Sequence, residues 1–169
     1  MTRLLPLSLL FISLVIINAC NAPDKSAEWQ SMTLIKSKPE HVLVDDLDGT
    51  REHGEKIFYE ASLSDQAGKP VGQLLAEHVI VDLPGEDGVG SPTLEERFTT
   101  LALVFDDGDE IMVMGALVYP ANERLMQANE PQMRSIIGGT GKYKGIRGQM
   151  KTTRNQDETY ILTLEYKVD

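Results

Sequence analysis

A chain of 169 residues with 26 acidic against 16 basic side chains, and a formal net charge of −10, is repelled by phosphate backbones, so nucleic acid is excluded as the expected partner. The length fits a single domain with one hydrophobic core. The single cysteine excludes an internal disulfide or a multi-cysteine thiolate site.

Taken in chain order, one positive residue, Arg3, precedes an apolar run over residues 4–17 that only Pro6, Ser8 and Ser13 interrupt. This is the charged and hydrophobic pair of regions of a secretory signal, and about fourteen residues fall short of the roughly 20 that cross a bilayer as a helix. The run ends in Ile17-Asn18-Ala19-Cys20, which resembles the lipobox cut by the lipoprotein signal peptidase. The resemblance implies that residues 1–19 are removed and that Cys20 carries lipid, so its sulfur is not free for catalysis. More than one acyl chain gives stable anchoring on a membrane without crossing it. The expected location is the bacterial cell envelope and, because Asn21 rather than aspartate follows the cysteine, the outer membrane facing the periplasm. Residues 20–40, polar and punctuated by Pro23 and Pro39, read as a lipidated tether, with Trp29 able to dock it.

From residue 41 to 169 the pattern is strand after strand. Residues 41–47 are β-branched and apolar, residues 56–64 alternate, and Asp65-Gln66-Ala67-Gly68-Lys69-Pro70 marks a turn. A long strand is predicted over 71–83, with either Leu74, Ala76, His78 and Ile80 or the intervening set facing inward. An acidic, glycine-rich loop follows over 84–92, then a short helical turn over 93–96 and a strand over 97–105. Asp106-Asp107-Gly108-Asp109 is a tight hairpin signal leading into a strand over 110–119. After a polar segment come strands over 134–137, 146–154 and 159–168. Seven or eight antiparallel strands in one small domain predict a sandwich or, since closure removes exposed edges, a barrel.

Residues 136–148, Ile-Ile-Gly-Gly-Thr-Gly-Lys-Tyr-Lys-Gly-Ile-Arg-Gly, invite two nucleotide readings, and both fail. A phosphate-binding loop ending at Gly141-Lys142 would need glycine at Ile136 and serine or threonine at Tyr143; a dinucleotide fingerprint would need its third glycine at Lys144 and a following helix. The remaining physical reading is a strand end, a tight turn, an aromatic that plugs a barrel end, and a coiled new strand.

This stretch resembles the signature shared by allene oxide cyclases and plant dirigent proteins, with Gly68-Lys69-Pro70-Val71-Gly72 and the order Arg97-Phe98, Phe105, Gly108, Gly115 extending it outward. The resemblance implies an all-β fold, a single eight-stranded antiparallel barrel, allene oxide cyclase-like and calycin-like, over residues 41–169, with an apolar cavity and assembly as a homotrimer. It also implies a hydrophobic small molecule as partner and a cofactor-independent cyclase or isomerase activity. As site residues it implies Asp46, at the place of a proposed dirigent acid, Arg147, at the place of a pocket arginine, and His78, at the place of a cavity residue of the cyclases. Lys142 stands where dirigent proteins have an acid, a departure from dirigent chemistry. The bland readings are a solvated strand end for Asp46, a structural ion pair for Arg147 and a satisfied core histidine for His78. Neither metal-ligand spacing among His41, His53 and His78 nor a nucleophile elbow is present, and a calcium-like run at Asp46-Leu47-Asp48-Gly49 lacks its first ligand, so no cofactor is expected. The competing expectation is a lipoprotein that holds a lipophilic ligand without catalysis, or a purely structural envelope component.

Overall fold

The computed structural model describes residues 28–44, 52–83, 93–120, 123 and 125–169, with the side chains of 41–44 excepted. Cys20, Asp46 and the predicted signal lie outside the described residues.

Alternation builds the strands. Along β4, Pro70–Asp82, the side chains of Leu74, Ala76, His78 and Ile80 are buried, while Leu75 is 41% and Val81 55% exposed, which decides the facing that two apolar sets left open in the sequence. In β5, Leu94–Phe105, every second residue from Glu95 to Phe105 is buried. The antiparallel neighbours are β3, Lys56–Ser64, and β6, Glu110–Pro120, followed by β7, Gln132–Gly139, β8, Arg147–Arg154, and β9, Tyr160–Lys167.

Closure depends on a broken stave. β1, Gln30–Lys36, pairs with β9 along its length, but only Ile35 and Lys36 reach β3, at Ser64 and Leu63. β2, Glu40–Val44, then continues along the other half of β3, with Leu43 opposite Phe58 and Val44 opposite Ile57. Both are antiparallel to β3, so β1 and β2 act as two lengths of one stave, and the sheet closes as an eight-stave barrel. The break is pinned by Ser37, whose N–H donates to Ser62 O at 2.9 Å while its hydroxyl accepts from Ser62 N–H at 2.9 Å.

Two segments depart from the sequence expectation. Residues 30–36, placed in the tether, form β1, because Leu34 and Lys36 alternate inward; a buried lysine beside Ser37-Lys38-Pro39 made the segment look like a linker. Residues 94–96, expected in a helical turn, begin β5, because Glu95 points inward and pairs with Arg97 on the same face.

One barrel end is filled. Leu63, Leu103, Ile111, Val113, Ile136, Met150 and Leu164 are at most 4% exposed and form the core there. The glycine segment makes its floor: a 3-10 turn over Gly141–Tyr143 sets Tyr143 against Phe105, ring centroids 5.2 Å apart, and edge-on to Tyr166 at 6.3 Å. Gly141 has φ +52°, and a Cβ there would collide with the Asp109 carboxylate, whose Oδ2 accepts from Lys142 N–H at 3.3 Å. Gly148, at φ +156°, lets the backbone approach so closely that a Cβ would fall 2.1 Å from Glu165 O. The signature thus ties a turn to the neighbouring hairpin and coils a strand, the work the sequence reading assigned to it.

Candidate functional site

The other half of the barrel is open inside. A cavity of about 290 Å³ lies above the core, with Leu74, Leu101, Leu117 and Leu162 among its apolar walls. At its mouth Lys38 and Glu158 form an ion pair at 3.0 Å, and residues 125–130, between β6 and β7, cross it, with Met126 2% exposed. Two arginines strap that crossing segment: Arg97 Nη2 donates to Glu123 O at 3.0 Å and Arg154 Nη1 donates to Met126 O at 3.2 Å. Asn129 N–H donates to Arg154 O at 2.8 Å.

Between apolar core and mouth runs a polar belt. His78, from β4, is 1% exposed and has Nε2 3.2 Å from the Tyr59 hydroxyl of β3, with the Tyr119 ring edge-on at 5.9 Å. Burial holds the imidazole well below its ordinary pKa, helped by the positive charges of Arg97, Arg134 and Lys36, so the ring is neutral. Burial, with Tyr119 nearby, pushes the Tyr59 phenol up, so it stays protonated. Its O–H is therefore a hydrogen-bond donor rather than a base. His78 Nδ1 has no hydrogen-bond partner among the described residues.

Three cations share the belt. Arg97 pairs with Glu95 through Nε and Oε1 and stacks on the Tyr119 ring at 3.7 Å. Arg134, from β7, is 5% exposed, donates to the Thr152 hydroxyl, and has Nε without a partner among the described residues. Lys36, from β1, is 2% exposed; its Nζ donates to Ser37 O at 3.2 Å and lies 5.1 Å from the Tyr59 ring centroid. Burial, then the charge of Arg134, brings the Lys36 pKa down to about 7.

The sequence-predicted residues fare differently. His78 lines the cavity. Arg147 stands at the floor end of β8, its side chain 56% exposed and paired with Asp169, so the structure does not bring it to His78. Asp46 is outside the described residues. Sequence reasoning missed Lys36, Tyr59, Arg97 and Arg134; the available signal was phase, since Arg97 and Arg134 occupy inward positions alternating with exposed Phe98 and Met133.

Chemically, the belt offers cations, a protonated phenol and a neutral imidazole around an enclosed space. Such groups stabilise negative charge on an oxygen, and walls that restrict a flexible chain supply proximity.

No family model and no curated protein matches the sequence. Solved structures do. A pyocyanin demethylase superposes with TM-score 0.61 at 19% identity, over 82% of this chain and 100% of that one. A nonspecific heme-binding cyclase that catalyses a [4 + 2] cycloaddition during neoabyssomicin biosynthesis gives 0.61 at 16%, over 86% of this chain and 66% of that one. A pterocarpan synthase dirigent protein gives 0.53 at 12%, over 82% and 83%.

The chain has the allene oxide cyclase and dirigent type of barrel fold. At these identities the likeness establishes the architecture, as the glycine signature implied, and this barrel's own belt has to argue its chemistry.

Proposed function

We propose that the protein is a lipid-anchored envelope barrel that encloses a hydrophobic small molecule and promotes its rearrangement as a cofactor-independent cyclase or isomerase. The observation that carries the reading is the cavity of about 290 Å³ with apolar walls, a strapped mouth and a belt of hydrogen-bond donors between them. Cycloaddition catalysts among the structures of the same fold support it. His78 and the Tyr59 hydroxyl are the proposed polarising pair, acting on an oxygen that gains negative charge as bonds reorganise. Asp46 remains a proposed acid, whereas the ion pair with Asp169 supports a structural role for Arg147.

A second reading, a non-catalytic holder of a lipophilic ligand, is favoured by the lipobox at Cys20, since a membrane anchor suits a molecule handled at a lipid surface. One experiment separates them. Native mass spectrometry of the detergent-extracted protein identifies the retained molecule and, in the same spectra, a homotrimer; that molecule is then incubated with fresh protein. An isomer of unchanged mass and altered chromatographic retention, lost in His78→Phe, supports catalysis, and recovery of the unaltered molecule supports holding. Cys20→Ser should move the protein from the membrane fraction to the soluble fraction.

A further inference from the structure

Charge inside the barrel runs opposite to charge on the chain. Among the described residues the buried acids are Glu55 and Glu95, against the three buried cations Lys36, Arg97 and Arg134, and Glu95 is engaged by Arg97. Glu158, the acid at the mouth, faces Lys38. Among the described residues no carboxylate pairs with Lys36 or Arg134, whose contacts are a carbonyl, two aromatic rings and a threonine hydroxyl.

Taking a cation out of water is costly unless an opposite charge compensates it, and structural buried arginines ordinarily have such a partner. The aliphatic core of the filled end shows that this chain can fill a barrel without cations. Lys36 and Arg134 both line the cavity, and of the two buried guanidinium Nε atoms without a hydrogen-bond partner among the described residues, those of Arg134 and Arg154, the former is the one at the cavity. His78 feels the same field, since Arg97, Arg134 and Lys36 all disfavour its protonation.

We propose that the ligand of this cavity is an amphiphile bearing one anionic oxygen group, a carboxylate, enolate or phenolate, seated at Lys36 and Arg134 with its apolar body against Leu74, Leu101, Leu117 and Leu162. The inference rests on the reading that the barrel encloses a small molecule and narrows the class of that molecule. The anion supplies the missing counter-charge, and the Tyr59 and His78 pair lies beside it to polarise the adjoining atoms. A neutral hydrocarbon of the same length would leave both cations desolvated and unpaired, so the barrel should discriminate by charge.

The test uses the barrel with the neutral dye N-phenyl-1-naphthylamine as reporter and decanoate, decanol and decylamine as competitors at pH 6.5. The dye should brighten on binding, and decanoate should displace it at a concentration about tenfold or more below decanol, with decylamine weakest. In Lys36→Met and in Arg134→Met, two independent variants in case one fails to fold, that advantage should shrink toward unity while decanol is unaffected. Equal displacement by decanoate and decanol in the unaltered protein overturns the anion and leaves enclosure standing. A dye that never brightens, with no heat of binding from any competitor by calorimetry, overturns enclosure and the anion together.

Discussion

The Lys36 ammonium lies 3.8 Å from the centroid of the Tyr160 ring, its register partner on β9, so a lysine from a segment resembling a linker ends up as a buried cation over an aromatic face. Its pKa near 7, against 10.5 for the ordinary side chain, couples the barrel's stability to pH. Between these values the unfolded chain holds the proton and the folded chain does not, so the Lys36 contribution rises with pH; below about 7 the fold carries a desolvated charge. Lys36→Met should therefore be more stable than the parent at pH 6, on the order of a few kcal/mol, with the gap closing by pH 10. Urea denaturation of both proteins at pH 6, 8 and 10 reads this, and parallel pH profiles would count against it.

His78 should not titrate across the physiological range. Its folded pKa is depressed by burial and by Arg97, Arg134 and Lys36, so below the unfolded value of 6.5 only the unfolded chain takes up the proton and stability falls with acid. The expected loss is about 1.4 kcal/mol per pH unit below 6.5 while the folded ring stays neutral. Ring nitrogen shifts in NMR should remain those of neutral imidazole at pH 5, and His78→Phe should flatten the acid limb relative to the parent. A ring that titrates near 6.5 in the folded protein would refute the buried placement.

Glu95 is 0% exposed, and its carboxylate is the charge partner of Arg97. Glu95→Gln leaves a buried guanidinium without counter-charge and should cost about 3–5 kcal/mol, whereas Glu95→Leu with Arg97→Met should recover much of that. The double variant also removes the donor to Glu123 O, so amide exchange at Met126 and Asn129 should quicken even where global stability returns. Unchanged exchange there would show that Arg97 does not strap the mouth.

The period of the strands was legible in the sequence, and so was the floor, because Gly141, Gly148 and Tyr143 do local work that leaves local marks. The belt was much less so. Arg97 and Arg134 look like surface charges unless their phase is compared with Phe98 and Met133, and Lys36 is masked by the polar Ser37-Lys38-Pro39 that breaks the stave. Arg147 drew notice through a motif whose role is to turn and coil the chain, and a motif that encodes backbone geometry carries no information about where a cavity opens. His78 was reachable because it interrupts the apolar alternation of Leu74, Ala76 and Ile80.

Gly115 gives a last, separate handle on the belt. It sits in β6 opposite Thr99 of β5, in phase with buried Val113 and Leu117, where a side chain would point inward. The space is taken by Arg134: a Cβ on Gly115 would lie 2.9 Å from the arginine Cγ and 3.4 Å from its Cα and Cβ. Because these are the root of the side chain and its backbone, the guanidinium cannot simply swing aside, and β7 has to shift. Gly115→Ala should cost about 1–3 kcal/mol and Gly115→Val more, the usual penalty of overpacking. If Arg134 is an anchor for an anion, Gly115→Ala should also reduce the preference for decanoate over decanol, with decanol binding retained. A variant that loses stability yet keeps the full preference would show that the placement of Arg134 is structural; one that keeps both would mean that the barrel has slack around β6 that the packing of Gly115 on Arg134 does not allow.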